Sequence, residues 1–404
     1  MPVYWIWFAQ LKGLSAWQKQ QLLETYADPE ELYHADTRRL SDLPAEVVSA
    51  LEEKDLTEAR QILYRCNQRG ISILTYQDGA FPKRLRSIED PPVLLYYRGH
   101  LPDWQAQPLI GVVGTRKASA YGLQTAHMLA SQIAVCGGLV VSGMATGIDA
   151  ASMEGALDAG KMTVGVLGGG VDVIYPASNR SLYRRIEANG CLLSEYPPGS
   201  RPFPHHFLQR NRIISGLSDG VLVVEAPEKS GALNTARHAF SQGRDMFAVP
   251  GNLGVDSCLG SNALLQEGAY PALSGWDVVK HYENLYPGAV AKRAPQLQKR
   301  PQEVLPKVAQ QAALPQTQGV KMEKLPKKSI DKVENSTYSV LDKRETSLSR
   351  EEAAVLDLLS QTPQFPDAVL DRAELPPAMV QSILTRLSIK GLVQYQPDGR
   401  IWRK

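Results

Sequence analysis

The sequence lacks most of the features that announce a chemistry. Its 404 residues carry four cysteines, Cys66, Cys136, Cys191 and Cys258, widely scattered and with no CxxC pair. That argues against a disulfide framework and for reduced thiols in a cytosolic protein. Long apolar runs are missing too. The longest near the start, VYWIWFA, is too short to span a bilayer and has no basic region before it. Neither a signal peptide nor a transmembrane helix is expected, which predicts a cytoplasmic protein without a membrane partner. Charge of one sign is not in excess. The formal net charge is +2, so any nucleic-acid binding must come from local clustering.

Nucleotide and metal signatures are absent as well. A P-loop requires GxxxxGK[ST]; the nearest stretch, Glu228-Lys229-Ser230-Gly231, has no glycine before the lysine. A dinucleotide fingerprint requires GxGxxG; Gly168-Gly169-Gly170 is followed by Val171, Asp172 and Val173. ATP and NAD both lose support, and no cofactor is expected. His205-His206 has neither HExxH spacing nor a cysteine pair to join it, so no metal site is expected.

What is present is a chain of short apolar runs from Leu109 to Gly254, each ending in a glycine-rich or polar turn: LIGVVGTRKAS, LVVSGMATGID, TVGVLGGGVDVIYP, CLLSEYPPG, VLVVEAPEKSGAL and MFAVPGN. Helical patterns follow most of them. The alternation predicts an α/β fold, a doubly wound domain around a parallel sheet. One helix is expected over Ala120 to Val135, with Leu123, Ala126, Ala130 and Ile133 on its buried face and Gly137-Gly138 ending it. Others are expected over Ala150 to Ala159 and from Asn179 to Gly190. In such sheets ligands bind beyond the carboxyl ends of the strands, where these turns lie.

The flanks read differently. Residues 1–66 predict a self-contained helical domain with starts at Asp28-Pro29 and Ser41-Asp42. ISILTY and VLLYYRG predict strands that join or cover the edge of the following sheet, within a domain running over 71–280. Residues 286–348, rich in Pro, Gln, Lys and Ala, predict a disordered linker. Residues 349–404 predict three helices and a hairpin turning at Asp398-Gly399, similar to a winged helix. That shape binds duplex DNA or protein, and its third helix offers only Arg386 and Lys390.

The glycine turns suit an anion. Gly114-Thr115-Arg116 follows the first strand of the repeat. A small residue there lets the main chain approach a phosphate, and Arg116 supplies a forked cation. Ser142-Gly143 and Gly168-Gly169-Gly170 repeat the arrangement, and Asn179 and Arg180 open a later helix at the same edge. Lys229, Ser230 and Gly231 follow VLVVEA, with Ser230 able to cap a helix. Gly251 and Asn252 follow MFAVPG. The stretch from Pro197 to Ser218 interleaves Arg201, Arg210, Asn211 and Arg212 with Phe203, His205, His206 and Phe207. Cations for a backbone with rings for unpaired bases suit single-stranded nucleic acid better than a duplex. The competing reading packs the phenylalanines in the core and gives Arg212 to a salt bridge. Asp149, Asp172, Glu195 and Glu225 fall at strand ends, either as counter-charges for these arginines or as an enzyme's general base or Mg²⁺ ligands.

VVGTR, SGMATGIDAAS, GVLGGGVDVIYPASNRSL, LLSEYPPG, FLQRNRIISGLSDGVLVVEAPEKSGALNTARHAFSQGR and FAVPGN together resemble the DNA-processing protein A family (DprA/Smf). The resemblance covers about Ile71 to Leu273. It implies an extended Rossmann-like domain between a helical, SAM-like start and a winged-helix end. It further implies a protein that is not an enzyme, forms a homodimer, binds single-stranded DNA during natural transformation and helps load RecA recombinase. The family's phosphate-binding arginine falls on Arg116, and its basic and aromatic contacts fall within Arg201 to Phe207. Many relatives have a lysine in that loop where this sequence has Arg201, and the stacking residue stays open between Phe203 and Phe207. The alternative is a nucleotide phosphoribohydrolase, whose PGGxGTxxE turn would fall at Lys229 to His238. Here Thr235 is followed three residues later by His238 rather than Glu.

Overall fold

The computed structural model describes residues 1–26, 28–36, 44–52 and 54–291, and then 350–360, 362, 364, 369, 372–373, 379–380, 383–384, 387, 392–395 and 400–403. These fall into two compact units on either side of residues 292–349. Most of the predicted linker therefore lies outside the described residues. Its first residues do not behave as a linker: Val290 is buried, the Tyr286 hydroxyl bonds Asp219, and the Ala291 N–H donates to the Cys136 carbonyl at 3.1 Å.

The chain starts with α1 (Pro2–Gln10), α2 (Ala16–Thr25), α3 (Pro29–His34), α4 (Ala45–Glu52) and α5 (Thr57–Gln68). Ser15 closes a capping box at α2, and Asp28 accepts the Glu30 N–H at 2.9 Å to cap α3. The other predicted start, Ser41-Asp42, lies outside the described residues. The helices do not close a core of their own. Trp5, Ile6 and Phe8 of α1 share one cluster with Leu94, Tyr96 and Ile186 from further along the chain. The physical reason is in VYWIWFA, which is apolar all round. Such a helix is covered on every side rather than along one stripe.

Among the described residues, nine strands form one sheet. They are β1 (Ser72–Thr75), β2 (Leu94–Gly99), β3 (Leu109–Val113), β4 (Leu139–Ser142), β5 (Thr163–Leu167), β6 (Cys191–Ser194), β7 (Gly220–Val223), β8 (Asp245–Ala248) and β9 (Tyr270–Pro271). Their order is β1-β2-β6-β5-β4-β3-β7-β8-β9, parallel from β6 to β9, with β1 and β2 added antiparallel at one edge. The intervening helices are α6 (Lys83–Arg86), α7 (Ala120–Val135), α8 (Ile148–Asp158), α9 (Arg180–Asn189), α10 (Pro204–Leu217), α11 (Gly231–Ser241), α12 (Leu259–Gln266) and α13 (Gly275–Val279).

Strand β3 shows why the sheet is doubly covered. Leu109 and Val113 pack with Ile213 and Leu217 of α10 and Ala236 of α11. Ile110 and Val112 pack on the other face with Leu129 and Ile133 of α7 and Ile148 of α8. Burying each such side chain contributes about 1.5–3 kcal/mol. On α7 the predicted face holds for Ala126, Ala130 and Ile133, but Leu123 is 40% exposed; Gly122 and Leu129 take up the buried side instead. The strands run from β3 outward to β6 on one side and from β7 to β9 on the other. The order reverses between β3 and β7, and a crevice opens there beyond their carboxyl ends.

The second unit holds α14 (Arg350–Asp357) and an antiparallel pair, β10 (Val393–Tyr395) with β11 (Ile401–Arg403). Val355, Leu359, Ile383, Leu387, Val393 and Ile401 form its core. The second and third predicted helices, the Asp398-Gly399 turn, Arg386 and Lys390 lie wholly or largely outside the described residues. No helix among the described residues is long and apolar enough to cross a membrane.

Candidate nucleic-acid interface

The crevice between β3 and β7 holds a cleft of about 330 Å³, lined among others by Gly114, Thr115, Arg116, Phe207, Arg210, Asn211, Lys229, Ser230 and Gly231. Local bonding fixes its walls. The Thr115 N–H donates to the Glu225 carbonyl at 2.7 Å, so the two strands stay joined beyond their ends. A side chain on Gly114 would strike Ile148 of α8 and the Glu225 carbonyl, so the glycine serves close packing. Gly147, at φ +80, turns the chain into α8 against the Thr115 carbonyl. Ser230 caps α11 by accepting the Ala232 N–H at 3.2 Å. Gly231 beside it has open space where a side chain would stand.

Arg116 is exposed at the mouth of this cleft, with no ion pair among the described residues. Its guanidinium lies 4.8 Å from the centre of the Phe207 ring. A contact of that kind contributes about 0.5–1 kcal/mol at an exposed site and limits where the cation can point. Arg210 lies 5.9 Å from the same ring. It is only 3% exposed, and it donates to the Val166 carbonyl. Burial pulls the Arg210 guanidinium down to about 10, against the pull of Asp149, so it stays charged at neutral pH. Burial also pushes the Asp149 carboxyl up, against Arg210. The Arg210 Nε has no partner among the described residues. The cleft therefore carries two guanidiniums at different depths on one ring, besides the side chains of Lys117 and Lys229. Asn211 ties α10 to the start of α11 through Asn234 at 3.1 Å.

Other predicted residues are placed elsewhere. Ser142 is fully buried and donates to the Val112 carbonyl at 2.6 Å. The space beside Gly143 is filled by the Arg210 guanidinium. Gly168 lies under the Phe207 ring, and Gly169 and Gly170 lie under the 197–202 loop, where the Gly170 N–H donates to the Ser200 carbonyl at 3.0 Å. These glycines admit neighbouring parts of the chain. Asn179 stands at the start of α9, yet its side chain makes no cap; it donates to the Met144 carbonyl at 2.9 Å instead. Arg180 is exposed at the same helix start. Gly251 packs against Cys258, and Asn252 is exposed beyond β8, outside the cleft.

The stretch from Pro197 divides in two. Up to Phe203 it is a loop with Arg201 exposed; from Pro204 it is α10. Arg212 is buried in that helix and paired with Asp90 at 2.8 Å and Glu195 at 2.7 Å. Burial opposes its charge, but Glu195 and Asp90 outweigh it and hold the pKa above the usual value. Arg212 is thus a brace, and the competing sequence reading applies to it. Phe203 is 50% exposed at the start of α10, while Phe207 is half-buried. The carboxylates also brace: Asp172 pairs with Arg69, and Glu225 accepts the Ser119 N–H and hydroxyl at 3.0 Å each. No cluster of His, Cys, Asp and Glu fit for a metal ion occurs among the described residues. Sequence reading passed over Lys117, which lines the cleft. Its signal was adjacency to Arg116 in VVGTRKAS.

Comparison with known proteins bears on this geometry. A family model described as DNA recombination-mediator protein A matches residues 72–283, and one described as the DprA winged helix domain matches residues 341–399. A protein named Smf from Synechocystis is 36% identical over 278 residues, covering 67% of this chain and 70% of that protein. The DNA processing protein DprA of Bacillus subtilis is 41% identical over 218 residues, covering 54% and 73%. The X-ray structure of DNA processing protein A from Streptococcus pneumoniae is similar at a TM-score of 0.61 and 33% identity, covering 69% of this chain and 98% of that one.

Proposed function

The chain belongs to the DNA recombination-mediator protein A family, and on that premise we propose that it binds single-stranded DNA along the carboxyl edge of its sheet. The observation that carries this reading is Arg116: an exposed cation, not ion-paired among the described residues, resting on Phe207 at the mouth of the β3–β7 cleft. Arg116, Lys117 and Lys229 meet the phosphates, with the open backbone at Gly231 beside them. Phe203, half-exposed, offers its ring to an unpaired base, while Phe207 positions Arg116. A duplex presents no free base faces to such a ring.

The bound strand is protected and handed to RecA recombinase during natural transformation, in the cytoplasm, as the family resemblance implies. The protein acts as a homodimer. Exposed Leu253, Leu259, Tyr270 and Leu273 near the β9 edge supply an apolar surface for a second copy. It is not an enzyme in this reading. A nucleotide hydrolase would need a carboxylate free in the cleft, whereas Asp149 faces Arg210 and Glu225 is held by Ser119.

The test is a salt-titrated comparison of single-stranded and duplex DNA of one sequence. Tighter binding of the single strand across the titration supports the reading; equal binding of both defeats it. Incubation with nucleoside monophosphates adds a second check. Release of free base that Glu225→Ala abolishes would establish an enzyme instead.

A further inference from the structure

Helix α5 is amphipathic. Ala59, Ile62 and Cys66 are buried, and the opposite side presents Arg60, Gln61, Tyr64 and Arg65. These four line an open cleft of about 420 Å³. Tyr64 is 64% exposed, an unusual position for a large ring that the fold does not use. Neither Arg60 nor Arg65 is in an ion pair among the described residues, and the Arg65 Nε has no hydrogen-bond partner among them.

This surface is joined to the proposed DNA track. Asp172 pairs with Arg69, the residue that ends α5, and also accepts the Gly199 N–H at 2.9 Å. The 197–203 loop is thereby held against α5. At Gly199, φ +83, a side chain would come within 4.0 Å of guanidinium nitrogens of both Arg65 and Arg69. The same loop then leads through exposed Arg201 to Phe203 and into α10, where Phe207 supports Arg116. The 197–203 loop, with Arg201 and Phe203, therefore lies between the Arg65 and Arg69 guanidiniums at one end and α10 at the other. The carboxylate nearest the loop, Asp172, is already taken up by Arg69 and does not oppose an incoming anion.

Resting on the proposed single-strand function, we infer that α5 extends the track: a strand leaving the β3–β7 cleft crosses the 197–203 loop and lies on α5, with Tyr64 stacking a base and Arg60 and Arg65 meeting phosphates. The occupant is the continuation of the same single strand. Continuity through the loop and charge complementarity select it. The helical start of the chain then sets how many nucleotides one protomer covers.

The test compares oligothymidylates of about six and about twenty nucleotides, one near the short end of the site sizes common for single-strand binders and one beyond the long end. The protein is the full chain, either wild type or carrying Arg60→Ala with Tyr64→Ala. Both side chains are exposed, and thermal melting checks that the variant is folded. The expected result is about a tenfold loss of affinity for the long strand and a salt slope lower by about 0.7, with the short strand bound as before. The conservative pair Arg60→Lys with Tyr64→Phe retains long-strand binding. An unchanged long-strand affinity and slope overturns the extension, as does an equal loss on both lengths. If the wild type binds neither length, the proposed function itself fails. If it binds both and Arg116→Ala alone weakens them, that function stands and only the extension is lost.

Discussion

The turns after β3 and β7 and the turns after β4 and β5 end at the same edge of one sheet and are built from the same residue types. The first pair supplies most of the lining of the cleft, Gly114 to Lys117 and Lys229 to Ala232, and the second pair only Ala145. Gly231 has open space beside it, whereas Gly114 is filled by Ile148, Gly143 by Arg210, Gly168 by Phe207 and Gly170 by the 197–202 loop. A glycine turn marks a place where something approaches the backbone closely. Whether a ligand or another part of the chain approaches depends on elements far away in sequence, here α10 and the loop before it. The two arginines of the RNR segment make the same contrast in side chains. Arg212 is spent on Asp90 and Glu195, and Arg210 is buried beneath Phe207, so of these three guanidiniums Arg116 is the one left exposed.

The contrast can be broken most strongly at the brace. Arg212→Ala leaves Glu195 unpaired beside a buried helix and is expected to destabilise the fold by about 3 kcal/mol. Asp90 is half-exposed and can rehydrate, which keeps the effect at the low end of the range. Urea unfolding reads the loss, and the surviving folded protein should bind single strands as the wild type does. On the filled side, Gly143→Ala forces Arg210 out of its place and should lower stability by about 2 kcal/mol. A melting temperature equal to wild type would show that the packing there is looser than described. On the exposed side, Phe203→Ala should leave the fold unchanged and weaken single-strand binding by about 1 kcal/mol, the lower bound for one stacked base. Fluorescence anisotropy measures that loss; none at all would give the stacking role to Phe207. The smallest effect belongs to Gly231→Ala, whose stability should stay within about 0.5 kcal/mol of wild type because nothing stands in its way. A large destabilisation would remove the distinction between open and filled turns.

Much of the fold was legible because local signals and burial agree. The helix over Ala120–Val135 was read to its ends, since Ser119 caps it and Gly137 at φ +98 ends it. The strand runs were read because a doubly covered parallel sheet demands apolar residues on both faces. The independence of the N-terminal helices was misread. The side that VYWIWFA turns to the sheet carries no periodicity, because the helix is buried all round. The position of Arg116 and of the Lys229–Gly231 turn beside the cleft was legible from residue type and placement. The fates of Ser142, Gly143, Gly168, Asn179 and Arg212 were not legible. Each is decided by a partner more than 15 residues away, such as Val112 for Ser142 and Met144 for Asn179. No spacing rule encodes such a partner.

The central claim is that the turns after β3 and β7 receive the phosphates, with Arg116 as the anchor. The direct measurement is the salt dependence of single-strand binding for wild type and Arg116→Ala, with unfolding curves alongside. The account predicts weaker binding for all sequences, a slope lower by about 0.7 because one phosphate contact is lost, and unchanged stability. Equal affinity and equal slope in the two proteins would contradict it.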